Sequence, residues 1–296
     1  MMGRKTLMLI DFNNVLYAHY YTKPLTNTKG QEIHAIKGFL YRLKNLREIF
    51  NPDYIVIARD LGRATTFRRE LYPEYKGTRK PTESSMVFQV NTTARLLALM
   101  GYPVIGNERF EADDIIGMCS KLAEELNMDV IIVSADKDLY QLISPSVKIW
   151  SFKVNEIIDQ RYMMDCYGLT PSQWVDLKIL QGDRSDNIPG IPGIGTKTAM
   201  ELMRGFGSIQ GIYNNIQKLS NSIQEKLKDN KDSIPLTRRL VTIVRDYKLL
   251  GITEKDFERK EVFRNEVYNE IAELEIHSVV NLIQYDLLPI VYNTDR

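Results

Sequence analysis

The sequence predicts an α/β protein: a mostly parallel sheet flanked by helices, followed by a helical C-terminal region. Three observations carry that reading. Residues 7–12, 54–60 and 129–135 are short, continuous apolar runs, the pattern of strands buried on both faces. Helical periodicities separate these runs. Beyond Thr170 the pattern is helical, and strand–helix alternation followed by helices defines the class.

The first run, LMLIDF, carries Asp11 at its C-terminal end, and Asn13 and Asn14 make the turn after it. Residues 24–31 form a polar loop. Ala35, Phe39, Leu40, Leu43, Leu46 and Phe50 then recur at helical spacing. The second run, YIVIARD, again ends in an aspartate, Asp60. A basic, aromatic segment (63–80) leads into a Met/Val/Leu helix that reaches about Met100. Residues 103–106 are a short strand, and 111–126 a helix whose first turn carries Glu111, Asp113 and Asp114. DVIIVSA (129–135) is the clearest strand, with Asp136 and Asp138 just beyond it; 147–152 is a further strand. Residues 226–231 read as a short polar loop, and no internal repeat appears.

The 296 residues suffice for one large domain or two modest ones. Lys plus Arg number 39 and Asp plus Glu 38, so any polyanion must be held by a local basic patch, not by net charge. Cys119 and Cys166 are isolated, which fits a reducing compartment. The N-terminal apolar run is too short and too soon interrupted for a signal peptide, and no run is long enough to span a bilayer. A cytoplasmic protein without a membrane partner is expected.

Ligands of open α/β sheets bind outside the carboxyl ends of the strands. Asp11, Asp60, Asp136 and Asp138 stand at such ends. Glu111, Asp113 and Asp114 open a helix, where acids also suit the helix dipole, and Asp136 is equally able to cap a turn. The stretch 182–199, GDRSDNIPGIPGIGTKTA, adds Asp183 and Asp186 and then a glycine-punctuated hairpin running into a helix start. Taken alone it also reads as a charged loop before an ordinary helix. Carboxylates in such number repel one another, so they take up protons or bind hard cations such as Mg²⁺. Their excess over what one ion needs favours two metal sites, the arrangement suited to in-line displacement. Glycine-rich turns at helix N-termini present N–H groups to phosphate. No Walker A motif is present, which argues against an NTPase.

Residues 66–80, TFRRELYPEYKGTRK, interleave Arg68, Arg69, Lys76, Arg79 and Lys80 with Phe67, Tyr72 and Tyr75. Cations neutralise backbone phosphates and rings stack on unpaired bases. A solvated amphipathic helix is the plainer alternative, although Pro73 and Gly77 interrupt it.

These segments together resemble the 5′-nucleases: the 5′→3′ exonuclease domain of bacterial DNA polymerase I and stand-alone phage and bacterial flap endonucleases. The matching stretches are LIDFNN, RDLGRATTFRRELYPEYKGTR, FEADDIIG, SADKDLYQL and LKILQGDRSDNIPGIPGIGTKTA, with a weaker LTRRLVTIVRDYKLL, in the family's order over residues 7–250. The resemblance implies a Rossmann-like (PIN/5′-nuclease) catalytic region at 1–168 that includes a helical arch at about 63–90. It implies a helical region at 169–296 with a helix-3-turn-helix element at about 182–206. It further implies that Asp11, Asp60, Glu111, Asp113 and Asp114 serve one metal region and Asp136, Asp138, Asp183 and Asp186 another. Lys76 and Arg79 would meet the scissile phosphate region, with Lys178 near the substrate. Arg68, Tyr75, Gly193, Ile194, Gly195, Lys197 and Thr198 would contact DNA, Tyr75 by stacking.

The implied cofactors are two or more Mg²⁺, for which Mn²⁺ substitutes, and a K⁺ at the hairpin. The implied activity is 5′-3′ exonuclease and flap endonuclease cleavage near single-strand/duplex junctions, leaving 5′-phosphates, with RNase H-like primer removal, in replication and repair. Implied partners are DNA with 5′ flaps or 5′ single-stranded ends, RNA–DNA hybrids, and replication proteins such as a single-strand-binding protein or a clamp. The length leaves no room for a polymerase, so a phage-type nuclease acting in a bacterial cell is expected. Two positions depart from the family pattern. Ala18 stands where many members carry an arginine, leaving His19 or Lys23 to supply the charge, and Arg59 stands where an apolar residue commonly precedes the aspartate. A catalytically weak DNA-structure-binding protein of the same fold and a PIN-like ribonuclease are the competing readings.

Overall fold

The computed structural model describes residues 3–62 and 65–288. Arg63 and Ala64, at the start of the expected arch, and residues 289–296 lie outside the described residues.

Six strands form one sheet: β1 (Thr6–Asp11), β2 (Tyr54–Ala58), β3 (Val104–Ile105), β4 (Asp129–Val133), β5 (Val147–Ser151) and β6 (Glu156–Ile158). Helices α1 (Phe12–Tyr20) and α2 (His34–Phe50) follow β1, and α3 (Phe67–Leu71) and α4 (Ser84–Leu99) follow β2. Between β3 and β4 runs α5 (Ala112–Glu125). After β6 come α6 (Gln160–Tyr167), α7 (Trp174–Gln181), α8 (Thr196–Phe206), α9 (Ile209–Asn214), α10 (Asn221–Asp229), α11 (Ile234–Val241) and α12 (Arg264–Glu273).

The strand order is β3-β2-β1-β4-β5-β6, parallel except for β6. The chain builds outward from β1 to β3 and then returns to β1's other flank with β4. That reversal makes β1/β4 the switch point, where a crevice opens at the carboxyl ends. Side chains alternate along β1: Leu7 and Leu9 enter one core with α5 and the C-terminal helices, and Met8 and Ile10 enter another with α1, α2 and α4. All four are buried, and each such side chain contributes roughly 1.5–3 kcal/mol. Trp174 and Leu202 share the first core with Leu7 and Leu9, so the helical region packs directly on the sheet. The segment after residue 250, unassigned by sequence, places Val267 and Ile271 of α12 in the second core.

Some expectations need correction. The three-residue β6 and α6 precede Thr170, where sequence showed no element. Residues 226–229, expected in a loop, close α10, whose single buried residue Leu227 is enough to seat it. The expected helical arch is helical only at its ends. Residues 72–83 carry turns and irregular backbone, because Pro73 and Pro81 cannot donate to a helix ladder and Lys76 adopts a φ of 53°.

Candidate active site

The carboxylates gather where the topology predicts. Asp11 ends β1 and caps α1; its carboxylate accepts from the Ser134 hydroxyl at 2.7 Å, across the switch point from β4. Asn14 ties the same two loops, accepting from the Ala135 amide at 2.9 Å. Asn13 accepts from the Asp60 amide at 3.1 Å, while the Asp60 carboxylate accepts from the first amide of α5, Ala112, at 2.8 Å. Asp136 caps the 3₁₀ turn after β4 by accepting from Asp138 N–H at 2.8 Å.

These groups line a cavity of about 730 Å³ that contains Asp11, Asp60, Glu111, Asp113, Asp136, Asp138, Asp183 and Asp186. Burial and mutual repulsion shape their charge. Burial first, then the charges of Asp136 and Asp60, raises Asp11 to about 7. Asp113 is pushed well above the usual carboxylate range by burial and by Asp136 and Asp11. Asp138 rises to about 7 through burial and Asp136, against the pull of Lys178. Asp60 is raised chiefly by burial.

Three cations lie among the acids. The Lys76 ammonium is 2.5 Å from Glu111 and 3.7 Å from Asp186. Arg79 pairs with Asp186, and Lys178 joins Asp138, at 2.5 Å, to Asp183. Although burial opposes Lys178's charge, its two aspartates hold its proton more tightly than usual. Burial likewise opposes the charge of Asp183, but Lys178 and Ser185 bring it below the ordinary carboxylate range. Among the described residues no three Asp, Glu, His or Cys side chains form a ready cage for one ion; the lysines bridge the gaps. The donor chemistry nevertheless fits hard cations: every ligand is oxygen, and Asp11, Asp113 and Asp138 still lack enough positive charge nearby to ionise normally.

The segment carrying Lys76 and Arg79 is clasped to the loop after α7. Lys76 N–H donates to the Asp186 carbonyl at 2.8 Å, Asn187 to the Glu74 carbonyl at 2.8 Å, and Arg79 to the Ser185 carbonyl at 3.1 Å. That loop folds back on itself because Gly182 and Gly190 touch: a Cβ on either would sit 2.3 Å from the other's nitrogen. The hairpin then passes exposed Gly193 and Gly195 and enters α8, with Lys197 exposed, Thr198 half-buried and the Ile194 side chain in the core. Gly195 caps α8 without a side chain, and its first turn contains no acid.

Other expected residues fall elsewhere. Arg68 is buried, its guanidinium paired with Asp114 and bonded to the Leu240 and Thr242 carbonyls, so it does not face DNA. Asp114, fully buried, also accepts from the Glu111 and Val244 amides and stays outside the cavity. Tyr75 is buried too, its hydroxyl donating toward Glu111 and Asp186, so no ring face is free to stack on a base. Neither His19 nor Lys23 lines the cavity, whereas Arg59 does. Ser134, Asn13 and Asn14 were not expected as site residues; their signal is a small polar residue within three positions of the end of a buried strand.

A mostly parallel sheet with converged carboxylates at its switch point, crossed by a cation-bearing segment and flanked by a helix-hairpin-helix, is the architecture that the resemblance to the 5′-nuclease class implies. The 5′-3′ exonuclease N-terminal resolvase-like domain matches residues 6–168, and the 5′-3′ exonuclease C-terminal SAM fold matches 169–265. The chain belongs to the 5′-3′ exonuclease family. DNA polymerase I of Caldicellulosiruptor bescii is 34% identical over 281 residues, 93% of this chain and 33% of that protein. DNA polymerase I of Streptococcus pneumoniae serotype 4 is 39% identical over 252 residues, 82% of this chain and 29% of that protein. The chain thus spans about a third of the length of these relatives. Its fold is shared with T5 5′-exonuclease bound to divalent metal ions (zinc), at TM-score 0.69 and 22% identity, covering 91% of this chain and 99% of that one. It is also shared with the catalytic core of Rad2 in complex with DNA substrate, at TM-score 0.60 and 18% identity, covering 97% and 93%.

Proposed function

We propose that this chain is a structure-specific 5′ nuclease that hydrolyses phosphodiester bonds of DNA near single-strand/duplex junctions and leaves 5′-phosphates. The observation that carries the reading is the cavity itself: eight carboxylates at the sheet's switch point, closed on one side by Lys76 and Arg79 and bordered by the hairpin loop. Asp11, Asp60, Glu111 and Asp113 would hold one Mg²⁺ and Asp136, Asp138, Asp183 and Asp186 a second, with Mn²⁺ able to replace either. Such ions, when bound, activate a water and stabilise the leaving oxygen. Lys76 and Arg79 exchange Glu111 and Asp186 for phosphate oxygens as the strand enters, countering charge at the cut bond. Lys178 aligns Asp138 with Asp183 and keeps Asp183 ionised. The uncapped amides of α8, with Lys197 and Thr198 beside them, take a duplex phosphate, and a K⁺ on the hairpin carbonyls would assist.

Residues 1–168 supply most of the cutting site, while 169–296 complete it with Lys178, Asp183 and Asp186 and hold the duplex. Recognition through phosphate and shape admits both flap DNA and RNA–DNA hybrids, consistent with primer removal in a bacterial cytoplasm. The test is cleavage of a labelled 5′-flap duplex with Mg²⁺, beside Asp136→Asn and a single-stranded RNA. Flap cutting that Asp136→Asn abolishes is the expected result. Tight binding without any cutting would favour the structure-binding alternative, and equal cutting of unstructured RNA a PIN-like ribonuclease.

A further inference from the structure

The cavity is lined by four cationic side chains: Arg59, Arg69, Lys76 and Arg79. Lys76 and Arg79 are neutralised by Glu111 and Asp186. Arg59 is different. Among the described residues no carboxylate forms a salt bridge with its guanidinium, although the charge of the neighbouring Asp60 acts on it, and its Nε is buried without a hydrogen-bond partner. Yet the side chain is held from three directions. Its backbone N–H donates to the Ile105 carbonyl at 2.9 Å, fixing it to β3. Its Nη2 donates to Asn91 Oδ1 of α4 at 3.1 Å. Its stem lies over Gly106, where any Cβ would come within 3.0 Å of it. Among the described residues Arg69 also forms no salt bridge, and its guanidinium donates to the Pro73 carbonyl four residues along its own segment, at 3.4 Å.

A half-buried guanidinium without a salt-bridged counterion is costly unless an anion arrives from outside. Arginine suits that task, since its planar fork matches phosphate oxygens in two-point contact. Arg59 also directly precedes Asp60, on the wall formed by β2 and α4, so an anion bound there lies beside the carboxylate cluster. We propose that Arg59 is a phosphate-binding residue of the substrate strand: it grips one phosphodiester next to the cut bond, on the β2–α4 wall, while Lys76 and Arg79 serve the bond itself. This rests on the 5′-nuclease reading and supplies the positive charge on a wall where neither Ala18, His19 nor Lys23 provides it.

The test compares wild type with Arg59→Gln, Arg59→Lys and Asn91→Ala, binding a labelled 5′-flap duplex in Ca²⁺ at several salt concentrations. A second series of flaps carries a neutral methylphosphonate at one linkage at a time. Wild type should lose about tenfold in affinity at one linkage beside the cut bond, as for one good phosphate contact. Arg59→Gln should bind the unmodified flap about tenfold more weakly and lose nothing further at that linkage. Its salt slope should fall by about 0.7–0.9. Arg59→Lys should restore the slope but only part of the affinity, and Asn91→Ala, which keeps the guanidinium but frees it from α4, should weaken the same linkage. Thermal unfolding of each variant identifies a folding defect, in which case Asn91→Ala alone decides. An Arg59→Gln profile and salt slope equal to wild type would overturn the proposal. Wild-type cutting of the unmodified flap in Mg²⁺ is scored separately: its absence sinks the nuclease reading, whereas its presence with an unchanged Arg59→Gln profile sinks only this one.

Discussion

Arg68 grips Asp114 with both prongs of its guanidinium, at 2.6 and 2.8 Å, and neither side chain meets solvent. The pair joins α3, the base of the cation-bearing segment, to the first turn of α5. Through the Leu240 and Thr242 carbonyls it also reaches the end of α11. Glu111 is steadied by the same pair, its amide held by Asp114 and its carboxylate 3.4 Å from Arg68. Removing one partner leaves a buried, uncompensated charge. Arg68→Ala should therefore cost about 3–5 kcal/mol in chemical denaturation. Asp114→Asn should lower stability while Mg²⁺ affinity, followed by calorimetry, stays near wild type. A large loss of Mg²⁺ affinity at unchanged stability would instead make Asp114 a ligand.

Divalent ions should stabilise the fold through the cavity. Asp11, Asp113 and Asp138 are held in an environment that opposes their ionisation, and bound cations would reverse that opposition. At a Mg²⁺ concentration of about a hundred times Kd, linkage gives about 2.7 kcal/mol. Differential scanning calorimetry should show Tm rising by several degrees with Mg²⁺ and much less in Asp136→Asn. An equal rise in both would place the ion elsewhere.

Much of this site is legible in the sequence, and the reasons differ by residue. Asp11 and Asp60 are readable because a buried apolar strand rarely ends in an isolated carboxylate without a task, whereas Asp136, which also caps a turn, is readable only beside them. Asp183 and Asp186 are readable only together with them. By contrast, Arg68 and Tyr75 belong to a segment whose basic, aromatic pattern is the same whether it faces DNA or the core. Asp114 from α5, with Leu240 and Thr242 from 172 and 174 residues further on, turns Arg68 inward, and Glu111 and Asp186 turn Tyr75; no local pattern encodes such encounters. Strand β6 is three residues long, too short for any periodicity to show. Arg59 stands out in sequence as a charge at the end of an apolar strand. Its lack of a salt-bridged carboxylate among the described residues becomes visible only once the carboxylates around it have been placed.

His19 should make acid stability measurable at a single site. Its ring fills the space above Gly38, its Nε2 is buried without a partner, and burial together with Arg42 lowers its pKa from 6.5 to about 4. Between those values the unfolded chain binds a proton that the folded chain refuses, so this group's contribution falls as pH drops from 6.5 towards 4 and levels off below. Asp11 and Asp138 titrate with the opposite sign in part of that window, since their folded values are raised to about 7. The comparison must therefore be between variants. Urea midpoints of His19→Gln minus wild type should grow more positive from pH 6.5 to 4. A difference independent of pH would show that His19 does not titrate as its surroundings dictate.

Gly182 and Gly190 link the metal half of the loop to its phosphate half, so they separate duplex holding from chemistry. Asp183 and Ile188 exchange backbone hydrogen bonds of 2.9 and 2.8 Å inside the turn, and Ile191 N–H returns to the Leu180 carbonyl at 2.9 Å. These bonds close only because the two glycines lack side chains, and Gly182 also sits at a φ of 72°. Gly190→Ala would press a methyl against backbone at 2.3 Å, an overlap that no flexible side chain can relieve. Backbone shifts of this kind typically cost 1–3 kcal/mol. The shift should carry the hairpin away from the duplex while Asp11, Asp60 and Asp136, anchored on the sheet, stay in place. In Mg²⁺, Gly190→Ala should therefore lose duplex affinity and raise KM for a flap substrate, with kcat reduced to a smaller extent. If kcat collapsed while KM held, the hairpin would be positioning Asp183 and Asp186 for the chemistry, not holding the duplex.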